Sequence, residues 1–286
     1  MREFEYVTPS SLEEACRLLA ERPGATALAG GTDVMIFLQQ GKMSPSILVD
    51  LSRIPGLDVI EEKDGSVEIG ALVSMTSLMR SEVVQRLFPA LAKAAGSMGC
   101  WQVRNRATLG GNLCNASPSA DTVPPLLLHD AVVTAAGPNG RREIDIAGFA
   151  AGPGATALET GEIVTGVVLP KPPSGLRSTY LRRQIRRSMD IPLVNVAVAV
   201  GEQGGIVCEA RVCLGAVAPV PFRVHQAEGL LCGRPLTAES IREAADAAAR
   251  NSRPITDVRS TASYRAEMVK IHVRRGLESL VEGGLQ

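Results

Sequence analysis

Two glycine pairs set among hydroxyl and amide side chains are the residues of this 286-residue chain best suited to chemistry. The first lies in Ala29-Gly30-Gly31-Thr32-Asp33, between a short apolar run and a helix-like run. Glycine lets backbone N–H groups come close to an anion, and the helix start that follows favours negative charge. Thr32 adds a hydroxyl donor. The second pair lies in Thr108-Leu109-Gly110-Gly111-Asn112, which continues through Leu113-Cys114-Asn115-Ala116-Ser117-Pro118-Ser119-Ala120-Asp121. Two such loops can hold the two phosphates of a pyrophosphate through amides and hydroxyls, without any Lys or Arg. Asp121 only accepts hydrogen bonds when ionised, so it suits a ribose or ribityl hydroxyl and not a phosphate. Neither GxGxxG nor GxxxxGK[ST] occurs at these positions, which excludes the Rossmann fingerprint and the P-loop there. Each pair also has a plain structural reading. The first is a tight strand-to-helix turn, the second an Ω-like loop whose polar side chains bond its own backbone.

Other chemistries find less support. The six cysteines form no CxxC pair and the three histidines are far apart, so a self-contained zinc or iron–sulfur site is not expected. No Ser-His-Asp order or paired-carboxylate pattern stands out. Arg177, Arg182, Arg183, Arg186 and Arg187 form a basic cluster without interleaved aromatics, which suits a partner subunit, a nicotinamide phosphate or a solvated strand face better than nucleic acid. Thirty basic residues balance thirty acidic ones, which also argues against a nucleic acid backbone as main partner. Arg104 and Arg106 flank the second glycine pair and suit either cofactor phosphates or the surface; Trp101 suits packing or an interface. No apolar run reaches the roughly 18 residues of a membrane span, and the first residues carry no apolar signal region, so a cytoplasmic chain is expected.

The elements that must position these residues read as α+β. A strand at 4–7 precedes a helix with Ser10 or Ser11 as its cap and Leu12, Ala15, Cys16, Leu18 and Leu19 as its apolar stripe. A strand at 25–29, a helix at 34–40 and a buried strand at 47–50 follow. Runs 57–61 and 67–71 flank Asp64-Gly65 as a hairpin. Ser74 and Ser77 are candidate caps for helices within 75–87, and 89–97 continues as helix. The stretch 99–125 is rich in Gly, Asn, Ser and Pro without periodicity, and reads as a long structured loop. A hairpin at 132–136 and 142–146 and a strand at 162–169 lead to the linker Lys171-Pro172-Pro173-Ser174-Gly175. Beyond it, strands at 194–200 and 207–217 join through Gly204-Gly205, and helices cover 237–250 and 260–281. The length suits two domains, and the 45% hydrophobic content supplies their cores.

The two glycine motifs, followed by Tyr180-Leu181-Arg182-Arg183 and Arg187-Ser188-Met189-Asp190-Ile191, resemble the FAD-binding medium subunit of molybdenum hydroxylases, the group of xanthine dehydrogenase and carbon monoxide dehydrogenase. The resemblance covers nearly the whole chain. It implies a vanillyl-alcohol-oxidase or PCMH-type FAD-binding fold of two α+β subdomains (about 1–55 and 56–173), then a C-terminal sheet-and-helix domain of the CO dehydrogenase flavoprotein type at 177–283. It implies that Leu28, Ala29, Gly30, Gly31, Thr32, Asp33 and Val34, with Thr108, Leu109, Gly110, Gly111 and Asn112, wrap the FAD pyrophosphate. Asp121 would take a sugar or ribityl hydroxyl, and Ile163 or Val164 would pack near the adenine or ring system. Arg182 would stand near the flavin pyrimidine edge, with Asp190 and Ile191 beside the isoalloxazine. The Asp190 carboxylate would then lower the flavin potential by repulsion; in its plainer reading Asp190 caps a turn or pairs with Arg186 or Arg187.

The same resemblance places the molybdopterin site on a large partner subunit and [2Fe–2S] clusters on a small one, leaving FAD alone in this chain and no metal of its own. The insertion that carries an extra cluster in the hydroxybenzoyl-CoA reductase branch has no counterpart here. Electrons would pass from those clusters through FAD to an acceptor such as NAD+, a quinone or oxygen, in a dimer of heterotrimers. A standalone flavin oxidoreductase of the same fold and a non-enzymatic nucleotide-binding module are the rival readings.

Overall fold

A three-stranded parallel sheet opens the computed structural model, which describes residues 3–281. Its strands β1 (Glu5–Val7), β2 (Ala25–Leu28) and β3 (Ile47–Asp50) lie in the order β1-β3-β2. β3 is buried along its whole length, as expected of a central parallel strand covered on both faces. The helix Leu12–Glu21 packs over it with Ala15 and Cys16 inward. Ser11 caps this helix by accepting the Glu14 amide at 3.2 Å, while Ser10 bonds the Glu14 carboxylate.

The middle sheet is antiparallel, in the order β4-β5-β10-β6-β7. Its members are β4 (Ile60–Glu62), β5 (Ser66–Gly70), β6 (Val132–Gly137), β7 (Gly140–Asp145) and, after the short hairpin β8 (Ala150–Gly152) and β9 (Ala155–Thr156), β10 (Ile163–Pro170). The expected strand at 57–61 begins three residues later, because the Leu57 carbonyl accepts the Leu72 amide across the mouth of the hairpin. Helices Met75–Arg80, Glu82–Leu87 and Pro89–Ser97 cover the sheet around Val67, Ile69, Leu78, Phe88 and Leu91. Ser74 and Ser81 cap the first two, and Ser77 is no cap: its own amide is the one that Ser74 receives.

The stretch 99–125, expected as one long loop, holds three helices: Trp101–Arg106, Leu109–Cys114 and Val123–Leu128. Each has six residues, too few to show a 3.6-residue period.

The last sheet runs in sequence order through β11 (Arg177–Arg183), β12 (Val194–Gln203), β13 (Ile206–Gly215) and β14 (Phe222–Arg223). β11 escaped the sequence reading because four of its seven residues are Arg or Ser. The helix His225–Leu231 escaped it too, and the helices Ala238–Asn251 and Ala262–Glu278 fall close to the expected places. β12 is buried on both faces. Val194, Val196, Val198 and Val200 face these three helices. Ala197 and Ala199 join the core of the middle sheet, together with Tyr180 and Cys213. Arg211 ties the two regions by donating to the Leu128 carbonyl at 2.6 Å and pairing with Asp130 at 2.7 Å. Among the described residues no helix is long and apolar enough to cross a membrane.

Candidate functional site

A cavity of about 680 Å³ lies where the three sheets meet, within the size range of small-molecule and cofactor sites. Its wall includes Ala29, Gly30, Gly31, Thr32, Asp33 and Val34 from the end of β2. Thr108, Gly110, Gly111, Asn112 and Asp121 face these, with Ile163 and Val164 from β10 and Asp190 and Ile191 from the turn after β11. Three expected residues are off the wall. Leu109 is fully buried in the core, and Leu28 and Arg182 lie behind the lining.

The two glycine motifs have different jobs. In the first, Gly31 has φ +74°, a left-handed conformation that glycine adopts without strain. A Cβ on Gly30 would sit 1.8 Å from the Arg106 carbonyl oxygen, so only glycine lets this loop touch the end of the helix Trp101–Arg106, just before the second motif. Among the described residues, the amides of residues 30–34 have no acceptor within the chain. A run of free amides is a concave donor set of the kind that holds phosphate oxygens.

The second motif corrects the expectation of two equivalent amide cradles. The Leu109 amide donates to the Val73 carbonyl at 3.0 Å and that of Gly110 to Ala71 at 2.8 Å. The Gly111 amide donates to Thr108 Oγ1 at 3.1 Å, and that of Asn112 to the Thr108 carbonyl at 3.0 Å. These donors belong to the fold, because the segment is a capped helix and not an open loop. Gly110 is required for packing: a Cβ there would meet Ala71 Cβ at 2.8 Å. The Asn112 side chain is engaged as well, its Oδ1 accepting Thr122 Oγ1 at 2.6 Å.

Asp121 is buried on the cavity floor. It accepts the Tyr180 hydroxyl, and Arg182 Nη1 donates to its two oxygens at 3.0 and 3.1 Å. Of the roughly four acceptor positions of a carboxylate, three are thus taken. Burial pushes its carboxyl up to about 6, against the opposing pull of Arg182 and Tyr180. Arg182, which the resemblance would set near the flavin edge, is absent from the cavity wall. Its buried guanidinium also donates to the Ser97 carbonyl at 2.9 Å and to the Asp190 carbonyl.

Asp190 lines the cavity, and its carboxylate takes the plainer of its two readings. Its Oδ2 accepts the Ile185 and Arg186 amides at 2.6 and 2.9 Å, and Arg186 Nη2 stands 3.5 Å from Oδ1. The carboxylate therefore closes its own turn. Burial raises its pKa, but the Arg186 and Ile185 amides and the Arg186 charge outweigh this and hold it below the ordinary range. Ile191 stays 55% exposed at the rim.

Several wall residues were missed by the motif reading. Phe37, Met43, Met98, Val103 and Leu158 line the cavity, and nothing in local spacing singles them out. Ser117 and Ser119 also line it, with their hydroxyls 3.0 Å apart; they lay inside the second motif without an assigned role. Cys114 opens to the cavity yet is enclosed by its walls, and burial pushes its thiol up to about 12. It stays a thiol at neutral pH.

The basic cluster disperses: Arg177 pairs with Glu202, Arg182 is buried, and Arg183 stacks on and bonds Tyr264. Trp101 is 54% exposed, with Arg80 and Arg104 on its ring. A second depression of about 830 Å³ crosses the outer face of the middle sheet. Among its polar groups, the Thr134 and Thr165 hydroxyls bond each other at 2.9 Å, and Arg142 is held by Glu162 beside it.

Two family descriptions match the chain: "FAD binding domain in molybdopterin dehydrogenase" over residues 2–172, and "CO dehydrogenase flavoprotein C-terminal domain" over residues 179–280. The xanthine dehydrogenase FAD-binding subunit of Escherichia coli O157:H7 is 32% identical over 280 residues, covering 96% of this chain and 95% of that protein. The carbon monoxide dehydrogenase medium chain of Hydrogenophaga pseudoflava is 34% identical over 277 residues, covering 96% of each. Among solved structures, a chain of quinoline 2-oxidoreductase from Pseudomonas putida 86 superposes with a TM-score of 0.94 at 29% identity, covering 100% of this chain and 99% of that one.

Proposed function

Because the chain belongs to the family of FAD-binding domains of molybdopterin dehydrogenases, we propose that it is the FAD-carrying electron-transfer subunit of a molybdenum hydroxylase or dehydrogenase complex. FAD is its cofactor, and it is an oxidoreductase subunit of the α+β flavoprotein fold. In this reading the electrons come from [2Fe–2S] clusters of a small partner, fed by a molybdopterin site on a large one. They leave to an acceptor such as NAD+, a quinone or oxygen. The relatives named as FAD-binding subunits and medium chains support the complex, and the assembly we propose is a dimer of heterotrimers in the cytoplasm. We also read domain limits at 1–55, 56–173 and 177–283, supported by the three sheets, with residues 282 and 283 outside the described residues.

The observation that carries the reading is the run of unpaired amides at residues 30–34, opening into the cavity. These amides and Thr32 would hold the pyrophosphate. The second motif forms the opposite wall, and Asp121 keeps one acceptor position for a sugar hydroxyl. Ile163, Val164 and Ile191 supply apolar surface and keep water from the site. The bound flavin supplies the electron chemistry, and the protein orients and encloses it.

Reconstitution tests this. The purified chain, stripped and titrated with FAD, should bind one equivalent, read by flavin fluorescence and absorbance. A native preparation should carry iron and molybdenum in other chains. Failure to bind FAD rejects the reading. Rapid turnover of an aldehyde or heteroaromatic by this chain alone favours a standalone oxidoreductase.

A further inference from the structure

Arg182 is a buried cation whose side chain is 6% exposed. Buried charges persist only when paired, and an unpaired one is costly. Its donors reach three separate segments. Ser97 ends the helix Pro89–Ser97, Asp121 precedes the helix Val123–Leu128, and Asp190 belongs to the turn after β11.

That turn is a closed unit. Asp190 Oδ2 gathers the amides of Ile185 and Arg186, and Met189 has φ +53°, uncommon for a side-chain-bearing residue. On one side it rests on Gly99, whose carbonyl accepts the Met189 amide at 3.2 Å and the Ser188 hydroxyl at 3.0 Å. On the other, the Asp190 carbonyl is fastened to Arg182. Met189, Asp190, Ile191 and Pro192 form that side of the cavity wall, so the position of the turn sets how the cavity opens.

We propose that Arg182 is a positioning residue, a latch that ties the turn at residues 184–191 to Asp121 and Ser97 and so holds the wall closed over the flavin. The part concerning flavin rests on the FAD reading above; the part concerning the turn does not. A cation that only balanced Asp121 would support the fold without bearing on the turn. The latch requires its loss to be felt at residues 184–191 first.

Hydrogen exchange by mass spectrometry on the flavin-free chain reads the turn, and the FAD release rate reads the cavity. In Arg182→Met, exchange across 184–191 should rise about 10- to 100-fold, the scale of one lost charge-assisted bond, while β12 and β13 stay protected. FAD release should quicken by a similar factor. Arg182→Lys, which keeps the charge and one donor direction, should recover part of both and serves if the Met variant fails to fold. Tyr180→Phe removes another donor to Asp121 but leaves the Asp190 carbonyl held, so 184–191 should exchange as in the parent. Unchanged exchange in Arg182→Met and Arg182→Lys overturns the latch. Faster exchange with unchanged FAD release overturns its role in closing the cavity. A parent chain that binds no FAD rejects the flavin reading and leaves the exchange comparison to decide the latch.

Discussion

Gly31 and Gly110 look alike in the sequence and differ in what they do. Gly31 holds φ +74°, and a Cβ there would meet Leu28 Cδ1 at 3.4 Å, an ordinary contact. Gly31→Val is thus expected to cost about 1–2 kcal/mol through its backbone angle, to fold, and to lose most of its FAD affinity as the free amides are re-aimed. Gly110→Val drives a side chain into Ala71 and is expected to lose stability first, by about 1–3 kcal/mol or more. Thermal melts beside FAD titrations separate the two; a Gly31→Val chain with parental FAD affinity would count against the amide cradle. Two buried titratable groups also set opposite pH slopes. His129 is pushed from 6.5 down to about 3 by burial, then by Arg211. The unfolded chain therefore takes up that proton first, and the stability present above pH 6.5 is lost as pH falls towards 3. Asp121 is raised from 3.8 to about 6, so the folded chain holds the extra proton between those values. Its contribution is full below pH 3.8 and is lost as pH rises through about 6. Denaturation between pH 4 and 7 should show a shallower acid loss in His129→Phe and a steeper one in Asp121→Asn.

At the scale of elements, the six-residue helix Leu109–Cys114 carries the second motif. Its start is set by Thr108, whose Oγ1 accepts the Gly111 amide. Thr108→Val keeps the shape and removes that acceptor. It is expected to cost about 0.5–2 kcal/mol, measured by chemical denaturation, with a smaller effect on FAD affinity than Gly31→Val. A larger effect on FAD than on stability would show that the second motif binds the cofactor directly after all. The turn after β11 is an element of the same kind, closed by one carboxylate on two amides. The charge repulsion expected of Asp190 loses its basis there, because Arg186 stands at the same carboxylate. Asp190→Ala should open the turn while leaving the midpoint potential of bound flavin close to that of the parent.

For the whole molecule, the last sheet belongs to two layers at once. Val194, Val196, Val198 and Val200 face its own helices, while Ala197, Ala199, Tyr180 and Cys213 complete the core of the middle sheet. Cutting the chain at the linker would expose the second set to water and strip Arg182 of its carboxylate. Residues 177–281 expressed alone are therefore expected to bind a hydrophobic dye and to melt without a sharp transition, checked by fluorescence and circular dichroism. A sharp two-state melt without dye binding would show that the C-terminal region is stable by itself. The shared layer also places the cavity, since its walls come from the ends of β2 and β10, the helix Leu109–Cys114 and the turn after β11.

Local signals were legible in the sequence wherever the partners of a group are near it along the chain. The buried run at β3, the valine alternation of β12, the Ser11 cap and the strand–glycine–helix passage at residues 28–34 all depend on neighbours within a few residues. Both glycine motifs line one cavity, as their composition implied. Tertiary structure alone decided which glycine amides stay free, because the acceptors of Leu109 and Gly110 lie on Val73 and Ala71, far back in the chain. It also decided that Arg182 lies behind Asp121, 61 residues away, and not at the cavity surface. A buried charge takes whichever opposite group packing brings within hydrogen-bond reach, and that choice follows from how distant segments meet. The three short helices of 99–125 stayed hidden for a related reason: with six residues each, they are defined by what they cap and cover, not by a repeating pattern.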